Sequence, residues 1–321
     1  MTIQPLQQMK PSTLLTVLVI LCISVACKSR QHIENHDAGR DEFPKELVRF
    51  TPVAANPVFS GTREDTWDRS IRERGFILYE DSLYKMWYTG YRGADNDPKA
   101  LGYATSADGI HWERYAGNPV FSEKWTEDMF VFRHEGKYFM VAEGTNDVAH
   151  LLSGDDGIRW HKVGDLVILT TTGDTIPGPY GTPLVWIENG KWHLFYERND
   201  EGVWLAVSYD HITWRNLQDE PVLKKGPSAY DAGAVAANQV IRYGDRYFMY
   251  YHGSSDPDWN KPEANSVWSS NVAMSTDLVH WVKYPGNPIV AGDHSSPIVV
   301  SHEGSYLLFT MHNEVWQYKS K

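Results

Sequence analysis

Apolar and polar positions alternate along most of the chain in short runs, and the runs come in pairs joined by turn residues. Phe76 to Tyr79 and Tyr84 to Tyr88 flank Glu80-Asp81, and Met129 to Phe132 and Tyr138 to Val141 flank Glu135-Gly136. Leu184 to Ile187 and Trp192 to Tyr196 flank Asn189-Gly190, and Gln239 to Arg242 and Tyr247 to Tyr251 flank Gly244-Asp245. Ile298 to Val300 and Tyr306 to Thr310 flank Glu303-Gly304. A period of two in aromatic and β-branched residues predicts half-buried strands, and Asn-Gly and its relatives close hairpins because they accept positive φ. The pattern predicts five hairpins.

A second repeat interleaves with the first. Ser106-Ala-Asp108-Gly-Ile-His-Trp112 returns as Ser153-Gly-Asp155-Asp-Gly-Ile-Arg-Trp160, Ser208-Tyr-Asp210-His-Ile-Thr-Trp214 and Ser275-Thr-Asp277-Leu-Val-His-Trp281. Asn-Pro segments begin at Asn56, Asn118 and Asn287. Ser and Asp side chains cap tight turns, and a Trp beyond the turn can pack between neighbouring sheets. Internal repeats of this length signal a repeated sheet architecture. Four-stranded units about 50 residues apart are propeller blades, so the predicted fold is all-β, a five-bladed β-propeller. The fifth unit runs out of chain near Tyr318, and its outer strand is expected from residues near Val48 to Val53, which would remove an exposed edge.

The N-terminus places the chain outside the cytoplasm. Lys10 precedes an apolar run from Leu14 to Ile23 and the small residues Ser24-Val25-Ala26, a pattern of export signals. The run is too short for a mature spanning helix, which needs about 20 residues. Ser24-Val25-Ala26-Cys27 resembles the lipobox of bacterial lipoproteins, with Ser24 where that motif carries Leu. The resemblance implies acylation of Cys27 and a lipid-anchored protein of the bacterial cell envelope. The expected organisation is a signal peptide over 1–26, a polar tether over 27–44 and a catalytic propeller over 45–321. Cys22 and Cys27 are the only cysteines, so the mature domain has no disulfide and must be held by burial. Removal of Lys10 with the signal leaves 29 basic and 41 acidic residues, a net charge of −12. That balance excludes nucleic acid, and leaves the membrane as a partner only through the lipid. Thirteen Trp and 18 Tyr suit both sheet packing and stacking on sugar rings.

The hairpins, the Ser-x-Asp…Trp phrase and the Asn-Pro segments together resemble the five-bladed propeller glycoside hydrolases of families 43, 32 and 117. The resemblance spans nearly all of the mature chain. It implies the fold and an oligosaccharide substrate, but neither sugar nor reaction, since one scaffold hosts many chemistries. In a propeller, the residues just before each inner strand and just after its partner crowd one mouth. Glycoside hydrolysis needs a carboxylic acid and a carboxylate there. The candidates are Asp68 or Glu73 as base, Asp128 as the carboxylate that orients and tunes, and Glu197 as acid; His252 and His312 are alternative proton donors. Arg74, Tyr91, Arg92, Glu143, Arg198, Tyr230, Asp231 and His294 are the expected substrate contacts, and the arginines, Arg72 with them, make the expected reaction hydrolysis of a terminal sugar from an anionic (uronate or sulfated) polysaccharide fragment. The chain departs from the family 43 pattern by having Glu73-Arg74 before Gly75-Phe76, and Gly181-Thr182-Pro183 where the acid Glu would stand.

Two other readings remain open. β-Elimination on a uronic acid would use Arg72, Arg74, Arg92 and Arg198 to neutralise the carboxylate, with His252, His312, Tyr91 and Tyr230 moving protons. A glycan-binding lipoprotein without catalysis needs only the aromatics and Arg. Phosphorolysis and serine-nucleophile chemistry find no support in motifs, because a Gly-rich phosphate loop and Gly-x-Ser-x-Gly are both missing. No cofactor is implied: a structural cation such as calcium is conceivable, but Asp95-Asn96-Asp97 lacks EF-hand spacing. The expected state is a monomer.

Overall fold

The five predicted hairpins are the inner halves of five antiparallel sheets. The structure, a computed structural model, describes residues 42–321 apart from Asp95, Pro262, Glu263 and Glu303. The signal segment, Cys27 and the tether up to residue 41 lie outside the described residues, as does Asp95 of the acidic run.

Within the unit Lys45–Lys321, helix α1 (Lys45–Val48) precedes strands β1 (Phe50–Pro52) and β2 (Phe59–Ser60). Blade 1 is β3 (Ser70–Glu80), β4 (Leu83–Tyr91), β5 (Ala100–Ser106) and β6 (Glu113–Arg114). Blade 2 is β7 (Glu127–His134), β8 (Lys137–Glu143), β9 (His150–Gly154) and β10 (His161–Asp165). Blade 3 adds two short strands to the pattern. It comprises β11 (Val167–Leu169), β12 (Gly181–Glu188), β13 (Lys191–Glu197), β14 (Gly202–Ser208), β15 (Thr213–Asn216) and β16 (Leu223–Lys224), with β11 parallel to β15. Blade 4 is β17 (Ala234–Tyr243), β18 (Arg246–Ser254), β19 (Trp268–Ser275) and β20 (Val282–Lys283). Blade 5 is β21 (Pro297–His302), β22 (Ser305–Met311) and β23 (Glu314–Ser320), and β1 supplies its outer strand, Phe50 opposite Ser320. The N-terminal strand thus closes the last blade, where the hairpin count puts it. The inner strands β3, β7, β12, β17 and β21 each touch the next, and β21 returns to β3. The fold is a five-bladed β-propeller.

The repeated phrases have local physical causes. Ser106 Oγ accepts from the Asp108 and Gly109 amides, and Asp108 Oδ1 accepts from Ile110 and His111, both at 2.8 Å. Ser208/Asp210 and Ser275/Asp277 repeat this turn. Its fourth residue takes the left-handed conformation, which Gly109 and Gly157 adopt freely and His211 and Leu278 adopt at some cost. The Asn-Pro segments work differently. Asn118 clasps both backbone groups of Tyr103, Asn287 those of Val272 and Asn56 those of Gln317. Each Asn side chain extends a ladder at a third strand that a Pro cannot continue.

Packing between blades is aromatic. Trp87, Trp192 and Trp214 are almost fully buried, and Trp87 donates to the Gly157 carbonyl of the next blade. His211 stacks on Trp192 with ring centres 3.9 Å apart.

Candidate active site

Each inner strand except β21 carries a register shift near its start: Arg72 to Phe76, Glu127 to Phe130, Gly181 to Leu184 and Ala237 to Gln239. Glu73, Asp128 and Thr182 occupy the first three shifts with φ of 54°, 46° and 42°, and Ser296, just before β21, has φ 57°. A bulge re-aims a side chain. Positive φ in non-glycine residues costs on the order of 1–3 kcal/mol each, and persists where the surroundings over-determine it. Equivalent strain in four of five blades turns one residue per blade toward the axis.

The result is a cavity of about 400 Å³ at the mouth of the ring. Blade 1 contributes Arg72 and Glu73, and blade 2 Glu127, Asp128, Glu143 and Asp147. Blade 3 contributes Thr182, Glu197 and Asp200, blade 4 His252, Trp259 and Trp268, and blade 5 Ser295, Ser296 and His312. Seven carboxyl groups therefore meet one guanidinium and two imidazoles.

Such crowding separates the carboxyls electrostatically. Burial alone would raise the Glu73 carboxyl, but His312, with Nδ1 3.9 Å from Oε2, and Arg72 at 2.7 Å together hold it below the ordinary value. Arg72 also reaches Glu127 at 3.2 Å, so its charge is spent inside the ring. Burial raises Asp128 well above the ordinary range, with the Glu73 charge adding to it, and burial does the same to Glu143 beside Asp128. Burial then raises Asp200, with Glu197 as the next cause. Glu197 is also raised by burial, although it accepts the Gly181 amide at 3.0 Å and the Asp200 amide at 2.6 Å. Blade 1 thus holds a carboxyl pulled down by its cationic neighbours, and blade 3 holds two, Glu197 and Asp200, pushed up by burial. Blades 1 and 3 are not neighbours, so the two groups face each other across the axis.

Gly181 makes this possible. A Cβ there would lie 2.1 Å from Glu143 Oε2 and 2.6 Å from Glu197 Oε1. The glycine that replaces the expected acid is what admits two carboxyls from the second strands of blades 2 and 3. His252 is held neutral by burial, its pKa lowered to about 3, while its Nδ1 accepts from Asn238 at 3.2 Å. Trp259 and Trp268 meet edge to face at 5.5 Å on the blade 4 side and give the cavity an aromatic wall.

Of the residues expected at the site, Glu73, Asp128, Glu143, Glu197, His252 and His312 line the cavity. The others are elsewhere. Asp68 is buried within blade 1, accepting from Tyr88 at 3.0 Å and Arg114 at 2.8 Å. Asp231 repeats that arrangement in blade 4 with Tyr251 and Lys283. Arg74 is fully buried beneath the cavity and donates to the carbonyls of Ala237, Asn238, Asp128 and Pro183. It fastens the inner strands of blades 2, 3 and 4 to blade 1, and burial lowers its pKa to about 10, leaving it charged at neutral pH. It is a strut, with no surface left for a substrate. Tyr91 lies against Lys99, Arg92 pairs with Asp65 in solvent, and Arg198 sits over Trp204. Tyr230 faces Asn287, and His294 lines a smaller pocket on blade 5.

Trp259, Trp268, Glu127, Asp147 and Asp200 line the cavity without having been among the expected site residues, and Arg72 was expected only as a partner for an anionic sugar. A signal for the two Trp residues exists: the spacing from Trp214 to Trp281 is the longest in the repeat, and the extra length is the blade 4 segment that carries Trp259. Asp147 and Asp200 sit in loops whose course no periodicity foretells.

Comparison with known proteins agrees with this architecture. Residues 183–310 match the glycosyl hydrolases family 32 N-terminal domain. A 1,2-β-oligomannan phosphorylase of Thermoanaerobacter sp. (strain X514) is 25% identical over 227 residues, covering 65% of this chain and 73% of the relative. Among solved structures, a glycosyl hydrolase from Bacteroides ovatus superposes with a TM-score of 0.67 at 15% identity, covering 86% of this chain and 95% of its own. Another, from the family 130 mannoside phosphorylases that contain glycoside hydrolases targeting β-1,2-mannosidic linkages in Candida mannan, does so with a TM-score of 0.63 at 15% identity. It covers 84% of this chain and 93% of its own. The chain has the propeller fold of carbohydrate-active hydrolases and phosphorylases. A phosphorylase among the relatives leaves phosphorolysis open, which the motif search alone did not support.

Proposed function

We propose that the protein is a glycoside hydrolase that cleaves a neutral oligosaccharide, with a β-mannoside as the first substrate to try, and that it works in the cell envelope on a lipid carried by Cys27. The observation that carries this reading is the convergence on one cavity of Glu73, held low by His312 and Arg72, with Glu197 and Asp200, both raised by burial. Glu73 takes a proton from water as it attacks the anomeric carbon, and the pair gives its proton to the departing glycosidic oxygen. Asp128, on blade 2, is pushed well up by burial and the Glu73 charge, which favours its neutral form. Trp259 and Trp268 offer the apolar face on which a sugar ring stacks.

The charge of the cavity chooses among the alternatives. The expectation of a uronate or sulfated substrate rested on Arg72, Arg74, Arg92 and Arg198, and of these only Arg72 lines the cavity. Arg72 is already paired with two carboxylates. Of the proton carriers expected for elimination, His252 and His312 line the cavity but Tyr91 and Tyr230 do not, and among the described residues no arginine or lysine of the lining is left to neutralise a uronate. Phosphorolysis, the reaction named for the oligomannan relative, would set a phosphate dianion beside Glu73, with Arg72 already paired to Glu73 and Glu127. Hydrolysis has no such cost.

The test is incubation with β-1,2-mannobiose, other neutral disaccharides and uronate-containing oligosaccharides, with and without inorganic phosphate. Free sugar at a rate independent of phosphate is expected, and Glu73→Gln, Glu197→Gln and Asp200→Asn should each lower it by about 10²–10⁴. Sugar 1-phosphate as product, or absorbance near 235 nm from an unsaturated uronate, would overturn the reading.

A further inference from the structure

A smaller pocket of about 200 Å³ opens on blade 5 beside the main cavity, and Ser295 and His312 line both. Its wall is the half-buried ring of Trp316, with the His294 ring centre 4.4 Å away at 49°. Burial lowers the His294 pKa, so this imidazole is neutral at pH 7 and the pair presents a flat, uncharged surface. Glu314 at the rim is engaged by Arg63 at 3.0 Å.

The two pockets are built as one piece. The segment between β20 and β21 that carries Asp293 and His294 is tied back to blade 4. The Asp293 amide donates to the Trp268 carbonyl at 3.1 Å, Asp293 Oδ1 accepts the Trp268 amide at 3.3 Å, and Ser270 Oγ donates to the His294 carbonyl at 2.8 Å. Trp268, which lines the main cavity, is thereby positioned by the same loop that forms the side pocket. His312 stands on the threshold, one side toward Glu73 and the other toward Trp316.

We propose that the side pocket is a second sugar subsite, in which a neutral sugar residue attached to the one in the main cavity stacks on Trp316 and His294. The inference rests on the function proposed above. Continuity through Ser295 and His312 gives a residue attached to the sugar in the main cavity a direct path into the side pocket. An uncharged aromatic face with polar rims suits a pyranose and does nothing for a phosphate or a carboxylate. The protein then binds oligosaccharides in preference to monosaccharides through contacts remote from the bond that breaks.

The test is calorimetric titration of the Glu73→Gln protein, which binds without turning over, with mannose, β-1,2-mannobiose and β-1,2-mannotriose. Affinity should rise on the order of tenfold from the monosaccharide to the longer ligands, about 1.4 kcal/mol. Adding Trp316→Ala or, as a milder change, His294→Ala should abolish that rise and leave the mannose affinity unchanged. An equal rise in all three proteins would overturn the subsite and leave the hydrolase reading standing. Failure of every mono- and oligosaccharide tried to bind Glu73→Gln would overturn the reading itself, and the subsite with it.

Discussion

Arg74→Met is the change whose outcome separates a structural reading of the mouth from a substrate-binding one. The guanidinium is fully buried and donates to four carbonyls: Pro183 at 2.7 Å, Asn238 at 3.0 Å, Ala237 at 3.2 Å and Asp128. Those acceptors belong to three different blades, and a methionine leaves all four buried without a donor. Each orphaned group costs about 1–3 kcal/mol, not additively, and the variant is relieved of the cost of burying a cation. A net loss of about 3–5 kcal/mol follows, in line with breaking other buried charged networks. For a domain of this size each kcal/mol shifts Tm by about 2–4 °C, so a fall of about 6–20 °C is expected. Thermal unfolding followed by near-ultraviolet dichroism measures it, and activity on neutral sugars should be assayed well below the new midpoint. A variant with Tm within about 2 °C of the parent would refute the strut. Selective loss of activity on charged substrates alone would instead restore the substrate-binding role.

Other outcomes follow from the same geometry. Gly181→Ala puts a Cβ within 2.1 Å of Glu143 and 2.6 Å of Glu197, so it should displace both carboxyls and lower kcat by at least 10²-fold with a smaller effect on Tm; unchanged kcat would mean that neither group has to be held where it lies. Asp128, Glu143 and Asp200 have folded-state pKa values raised by burial above their unfolded values. Their contribution to stability is therefore full below the ordinary carboxylate range and is lost as pH rises through the folded values. Tm should fall from pH 5 toward pH 8, with each retained proton contributing about 1.4 kcal/mol per pH unit, and Asp128→Asn should flatten the slope; a Tm that rises over that range would contradict the protonated ring. His252→Ala and His312→Ala should each reduce kcat, whereas His161→Ala, exposed on the outer strand of blade 2, should not. Equal losses in all three would place the site on another face.

The repeat alone determined the architecture. Ser-x-Asp turns, Asn-Pro segments and alternating hairpins act through hydrogen bonds only a few residues long, so their meaning survives in the order of residues, and five units with a missing last strand imply closure by β1. The same reasoning brought Glu73, Asp128, Glu143, Glu197, His252 and His312 to one mouth, because they end or begin strands that converge on the axis. It failed for Asp68 and Arg74, which occupy similar places in the sequence and are as polar. What separates them is where the side chain points once the inner strands bulge. Glu73 sits in the bulge at positive φ and turns into the cavity, while Arg74, one residue later, turns beneath it to meet carbonyls from blades 2, 3 and 4. Which carboxyl keeps its proton is likewise a tertiary property. It depends on Arg72 and His312 reaching Glu73 and on the burial of Asp128, Glu143 and Asp200. Distances of a few ångströms between residues from different blades decide these charges, and only the closed ring brings those residues together.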